Sequence, residues 1–152
     1  MPLFPFSPSL LGAVRPQLSR LAVRRAGVGL ALAACAALLP AQAQTAAAQL
    51  AAYAAQSGQT PQSARGQAFF TSKQGHDWAC ASCHTAKPTV DGKHASTGKP
   101  IRPLAPAANP DRFMDAAKTE KWFRRNCNDV VGRECSVAEK ADVLAWLMTL
   151  KP

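Results

Sequence analysis

The five residues Cys80, Ala81, Ser82, Cys83 and His84 constrain this chain more than any other part of its sequence. Two thiols three positions apart, followed at once by an imidazole, gather three metal-seeking or nucleophilic groups within about one turn of chain. Three chemistries use such a spacing. A redox-active C-x-x-C sits at a helix start within alternating strands and helices, and no such alternation surrounds residues 80–84. A zinc site needs a second ligand pair at short spacing, whereas Cys127 and Cys135 stand eight apart and 44 residues downstream. The third chemistry is covalent haem attachment. The two thiols add across the haem vinyl groups, and the tether brings the next residue, His84, under the iron as proximal ligand. The pentad occurs once. The sequence therefore predicts one haem c, bonded through Cys80 and Cys83 and ligated by His84.

The first 25 residues carry Arg15, Arg20, Arg24 and Arg25 and no Asp or Glu. An uncharged Ala/Leu-rich run over residues 26–39 follows, ending in Pro40, Ala41, Gln42, Ala43. A basic region, a short apolar region and a small-x-small site, in that order, read as a secretory signal peptide cleaved after Ala43. The apolar run falls short of the roughly 20 residues that a membrane-spanning helix needs. The mature chain is thus expected in the periplasm and not as an integral membrane protein. Leu32 to Cys35 also matches a lipobox, with Cys35 as the acylated residue. The run stays apolar through Leu39, however, where a lipoprotein turns polar, so plain cleavage is the preferred reading. The expected organisation is a signal peptide over 1–43, a leader helix and linker over 44–61, and a monohaem domain over 62–152. Fourteen of the 18 cations and all nine acids lie beyond residue 43. That excess is modest and interspersed, and it argues against nucleic-acid binding. In an oxidising compartment free thiols rarely persist, so Cys80, Cys83, Cys127 and Cys135 should each be bonded to something.

The pattern of the mature chain is helical. Residues 45–57 have strong helix propensity but little apolar bulk, which suggests a loosely packed leader. Gly58 and Pro61 end it. Residues 63–73 form a second expected helix with Gly66 and Phe70 on one face. From Thr85 to Ala108, Pro88, Pro100, Pro103 and Pro106 with Gly92 and Gly98 predict a loop wrapped on the haem. Asn109 and Pro110 make an N-cap and first-turn pair for a helix through Phe113 and Met114, restarted or continued from Thr119 to Cys127. Ser136 and Glu139 form a capping box for the last helix, whose Val137, Ala141, Leu144 and Met148 make an apolar stripe. No alternating run predicts a strand. The fold expected is all-α, with N- and C-terminal helices packed together and the haem at the centre of the core.

An electron carrier keeps both axial positions of the iron filled, commonly by His and Met, whereas a gas-binding haem needs one position that opens. Met114 lies 30 residues after His84 in a helical pattern, and His94 lies in the loop that starts at Gly92. Met148 falls on the apolar stripe, and His76 precedes His84 by only eight residues. The amides around Cys127 are a less usual set. Three functions stay open on these residues. One is an electron-accepting cytochrome that binds small gases. The second is a simple electron carrier with Met114 or His94 as fixed ligand. The third is a haem oxidoreductase, peroxidase-like or NO-detoxifying, with slow O2 or NO reduction and His94 as the candidate acid–base group. Lys87, Lys93 and Lys99 would suit an acidic partner, although a solvated loop carries such residues by default.

A resemblance narrows the choice. Trp78 through His84, then Gly92 to His94, Thr97 to Lys99, Pro103 to Pro106, Asn109, Arg112 and Phe113 are similar to the SHP family, small bacterial oxygen-binding class I cytochromes c. The most specific part is Trp122, Phe123, Arg124, Arg125, Asn126, Cys127, with Cys135 and residues 139–144. The resemblance covers about residues 62–151 and leaves out the leader, residues 45–59. It implies a class I cytochrome c fold with haem-wrapping loops. It also implies that Asn126 is the sixth ligand in the ferric state and that Cys127 and Cys135 form a disulfide. Asn128 is not separated from Asn126 by spacing alone. The resemblance further implies that reduction opens the iron to O2, NO or CO, and that the electron donor is a dihaem cytochrome c.

Overall fold

The computed structural model describes residues 44–152; the expected signal peptide, with Cys35, lies outside the described residues. Local signals set the helix ends. Helix α1, Ala46–Ser57, starts where Thr45 Oγ1 accepts from Ala48 N–H at 3.0 Å, and it stops at Gly58, whose φ of 64° is left-handed. Helix α2 spans Ser63–Thr71, and α3 is the short helix Cys80–His84 of the pentad. Strands β1, Gly92–Lys93, and β2, Pro100–Ile101, pair antiparallel with Gly92 opposite Ile101. Helix α4, Ala116–Val131, is capped by Asp115, whose Oδ1 accepts from Lys118 N–H at 2.9 Å. Helix α5, Val137–Thr149, opens on the reciprocal capping box. Ser136 N–H donates to Glu139 Oε2 at 2.7 Å, and Glu139 N–H donates to Ser136 Oγ at 3.2 Å.

Helix α5 is the spine on which both early helices pack. One side of it, Ala141 and Leu144, buries against Ala46 and Tyr53 of α1. The adjoining side, Val143, Trp146 and Leu147, buries against Phe70 of α2. The α2–α5 crossing is close because Gly66 has no side chain: a Cβ there would collide with the backbone carbonyl of Asp142. Buried Asp142 in turn accepts from Gln62 N–H at 2.7 Å and pairs with the Arg65 guanidinium. A third cluster joins Cys127, Val131 and Cys135 to Phe69 and Phe123, which ties α4 to α2.

Three details differ from the sequence reading. The leader is not loose, since α1 buries Gln49 and Tyr53, and Tyr53 Oη donates to Glu120 Oε1 of α4 at 2.6 Å. No helix starts at Asn109. Its side chain turns inward, with Nδ2 donating to the Pro103 carbonyl at 3.1 Å, and Phe113 has φ of 62°, which no right-handed helix accepts. The chain makes turns there, and helix resumes only at Ala116. The β1–β2 ladder was also unforeseen, because two residues per strand are too few to show alternation.

Candidate haem site

The pentad opens onto a cavity of about 1050 Å3. Helices α2, α3, α4 and α5 and the segments around residues 94–104 and 109–115 wall it. Protein interiors leave few voids larger than a water molecule, and ligand pockets run to roughly 1000 Å3, so a space of this size marks the seat of one large ligand. Phe69, Phe70, Leu104, Phe113, Val143 and Leu147 make much of the wall apolar. Cys80, Cys83 and His84 lie in the same wall, and neither thiol is in a disulfide. Two unbonded thiols and an imidazole facing one large, mainly apolar cavity fit the donor set and shape of a covalent haem.

The local fold presents these groups. Ser82 Oγ accepts from Ala79 N–H at 3.0 Å and starts α3, which puts the two cysteines one turn apart. Gly92 of β1 presses on the Cys83 carbonyl so closely that a Cβ would collide with it. Phe70 lies beside the His84 ring with centroids 6.2 Å apart, and Trp146 backs Phe70 at 4.9 Å. Burial, with the nearby Arg112 cation, pushes the His84 pKa down to about 4, so its imidazole is neutral and keeps a lone pair for a metal. Arg112 is held in place by donating to the carbonyls of Pro103 at 2.9 Å and Arg102 at 2.7 Å. Burial pushes the Cys80 thiol up to about 11.

The structure sorts the candidate sixth ligands. From helix α4, Lys118, Thr119, Trp122, Phe123, Arg125, Asn126, Cys127, Asp129 and Val130 line the cavity, so Asn126 is on its wall and Asn128 is not. Cys127 and Cys135 are joined as a pair, with Cα atoms 5.6 Å apart, directly after Asn126. Met114 and His94 also line the cavity; His94 Nδ1 accepts from Thr97 N–H at 3.3 Å. Met148 instead packs into the α1–α5 core, and His76 lies against Gly132 at the end of α4. The role of Arg112 beside His84 was not legible beforehand. Its only trace in the sequence is its spacing from Asn109, with which it shares the Pro103 carbonyl.

This fold, with a C-x-x-C-H helix opening on a haem-sized cavity, defines a c-type cytochrome. Residues 56–147 match a family described as a domain of unknown function, DUF1924. The cytochrome c-type protein SHP of Cereibacter sphaeroides is 49% identical over 102 residues, covering 64% of this chain and 78% of that protein. Cytochrome c'' of Methylophilus methylotrophus is 45% identical over 95 residues, covering 60% and 66%. Among solved structures, oxidised SHP, described as an oxygen-binding cytochrome c, superposes with a TM-score of 0.66 at 46% identity, covering 70% of this chain and 97% of that one. A solution structure of cytochrome c'', described as giving insights into haem-ligand detachment, reaches 0.62 at 40% identity, covering 70% and 94%. The chain belongs to the SHP family and is a monohaem cytochrome with covalently bound haem c. The SHP match covers more residues than lie between 62 and 152, so the likeness extends into the leader that the sequence reading left out.

Proposed function

We propose that this chain is an exported, periplasmic cytochrome c that accepts electrons and, once reduced, frees its sixth ligand position for O2, NO or CO. The haem supplies the redox change and the coordination position. The chain's own residues do the rest. Cys80 and Cys83 form the thioether bonds, and His84, kept neutral by burial, gives its lone pair as proximal ligand. Asn126 is the sixth ligand of the oxidised state. Its amide oxygen is a hard, neutral, weak donor, suited to ferric iron and poorly held by ferrous. Released, the same amide turns two N–H donors toward whatever occupies the cavity. The Cys127–Cys135 bond anchors the residue beside Asn126, so the side chain swings while α4 stays in place. By family likeness the electron donor is a dihaem cytochrome c.

The observation that carries this reading is the position of Asn126, on the cavity wall with the pentad and next to the paired cysteines, while Asn128 faces elsewhere. The described behaviour of the relatives, oxygen binding in SHP and ligand detachment in cytochrome c'', supports it. A second reading, a simple electron carrier, rests on Met114 and His94, which reach the same cavity. Optical spectra separate the two. Asn126→Ala should move the ferric protein toward high spin at neutral pH and leave the reduced spectrum nearly unchanged, and reduced wild type should bind CO. A ferrous protein that stays low-spin and refuses CO overturns the proposal. A ferric spectrum that ignores Asn126→Ala but responds to Met114→Ala or His94→Ala establishes the carrier.

A further inference from the structure

Gln49 is an unexpected residue for the middle of a packed helix. It is 7% exposed, on the face of α1 that meets the rest of the fold, and its Oε1 is buried with no partner among the described residues. An apolar side chain would avoid that cost. What the amide gains is one contact: Nε2 donates to the backbone carbonyl of Phe113 at 2.5 Å, 64 residues away.

Phe113 holds a special place. It has φ of 62°, a left-handed conformation that a bulky residue adopts only when its surroundings impose it. Its ring packs against both core clusters and lines the haem cavity. Its neighbours both bear on the site. Arg112 and Met114 both line the cavity wall, and Arg112 donates to the Pro103 and Arg102 carbonyls there. A turn that relaxed toward φ below zero would carry all three residues with it.

We infer that Gln49 is a positioning residue for the haem cavity, holding the strained Phe113 turn, and with it Arg112 and Met114, from the leader helix. Helix α1, which lines none of the cavity itself, then acts on the site through the Phe113 carbonyl. The effect on gas binding rests on the function proposed above; the effect on the cavity wall does not.

The test uses the full holoprotein with Gln49→Met, which keeps the volume and removes the donor, and Gln49→Leu as a second form should the first not accumulate. Tyr53→Phe is the comparison. It cuts the other long-range tether of α1, the Tyr53–Glu120 bond, while keeping the ring and leaving the Gln49–Phe113 bond intact. Two signals are read: circular dichroism in the Soret band, which follows the aromatic wall around the haem, and the rate of CO association after reduction. A hydrogen bond of ordinary strength biases a two-state turn about fivefold, so the CO rate should change by about two- to fivefold in the Gln49 variants, with an altered Soret signal. Tyr53→Phe should leave both at wild-type values. If the Gln49 variants match wild type, or if Tyr53→Phe changes both signals to the same extent, Gln49 is only a packing residue and the inference is overturned. Should reduced wild type refuse CO, the gas-binding reading fails by itself, and the Soret comparison alone decides the role of Gln49.

Discussion

Gly66→Ala adds one methyl group where α2 crosses α5, and the structure makes its consequence calculable. The new Cβ would meet the carbonyl oxygen and carbon of Asp142 and the nitrogen of Val143, all backbone atoms. No side-chain rotation relieves such a contact, so the helices must separate. Overpacking of this kind costs about 1–3 kcal/mol, and a backbone obstacle places it near the upper end. Against this, replacing glycine by alanine inside a helix gains about 1 kcal/mol of propensity. The clash wins by about 2 kcal/mol. For a domain of this size that corresponds to a loss of roughly 10 °C in Tm. The assay is thermal melting of the holoprotein followed at 222 nm and in the Soret band. Because α2 also carries Phe70 to the side of His84, the Soret signal should weaken along the same curve. Gly58→Ala is the internal comparison: it meets no atom within 4 Å and should lose only the smaller cost, about 1 kcal/mol, of its left-handed φ. A Gly66→Ala protein that melts at or above the wild-type temperature would refute the reasoning.

Three other outcomes are expected. Arg65→Met strips the buried Asp142 carboxylate of its cation and should lower the urea midpoint, by less than loss of a fully buried pair would because Arg65 is half exposed; an unchanged midpoint would mean that Gln62 N–H suffices. The Arg133 guanidinium, donating to Glu139, holds that carboxyl below its ordinary range, so the folded chain gives up a proton that the unfolded chain keeps. Stability should therefore fall as pH drops below about 4.5, and Glu139→Gln should flatten that part of the urea-midpoint profile, with a profile unmoved by the substitution as the contrary result. Replacing Cys127 and Cys135 together by serine should cost on the order of 2 to 3 kcal/mol for so short a loop. If the bond also fixes Asn126, the ferric spectrum should shift, and an unchanged spectrum would leave it as a staple only.

What the sequence conveyed follows from the range of the interactions involved. The last helix was legible because its capping box and apolar stripe are local, and the structure buries Ala141 and Leu144 as that stripe requires. The pairing of Gly66 and Phe70 on one face of α2 was legible for the same reason. The Asn109–Pro110 signal misled, because a helix start is a preference of a few residues, and the inward Asn109 side chain with the left-handed Phe113 outweighs it. The leader looked weak because alanines carry little apolar area. Its burial comes from two residues, Gln49 and Tyr53, whose partners lie more than 60 positions away. At the site, Cys80, Cys83 and His84 form a contiguous word and could be read directly. The choice between Asn126 and Asn128 could not, since it depends on which face of α4 meets the cavity.

The distance in sequence between α5 and the two early helices governs the order of assembly. Helices α1 and α2 have their main packing partner some 80 residues later, so it leaves any machine that makes or moves the chain from its N-terminus well after they do. Until then neither early helix has a surface to close on, and contacts of such long sequence separation form late. The delay suits the chemistry. Were the chain to close before haem is attached, burial would hold the Cys80 thiol near pKa 11, almost wholly protonated and poorly reactive. In the waiting chain both thiols are open to solvent and to whatever enzyme couples them to haem. A chain that takes its haem before α5 packs meets no such barrier, and a variant that lets the early helices collapse without α5 should accumulate protein that lacks haem.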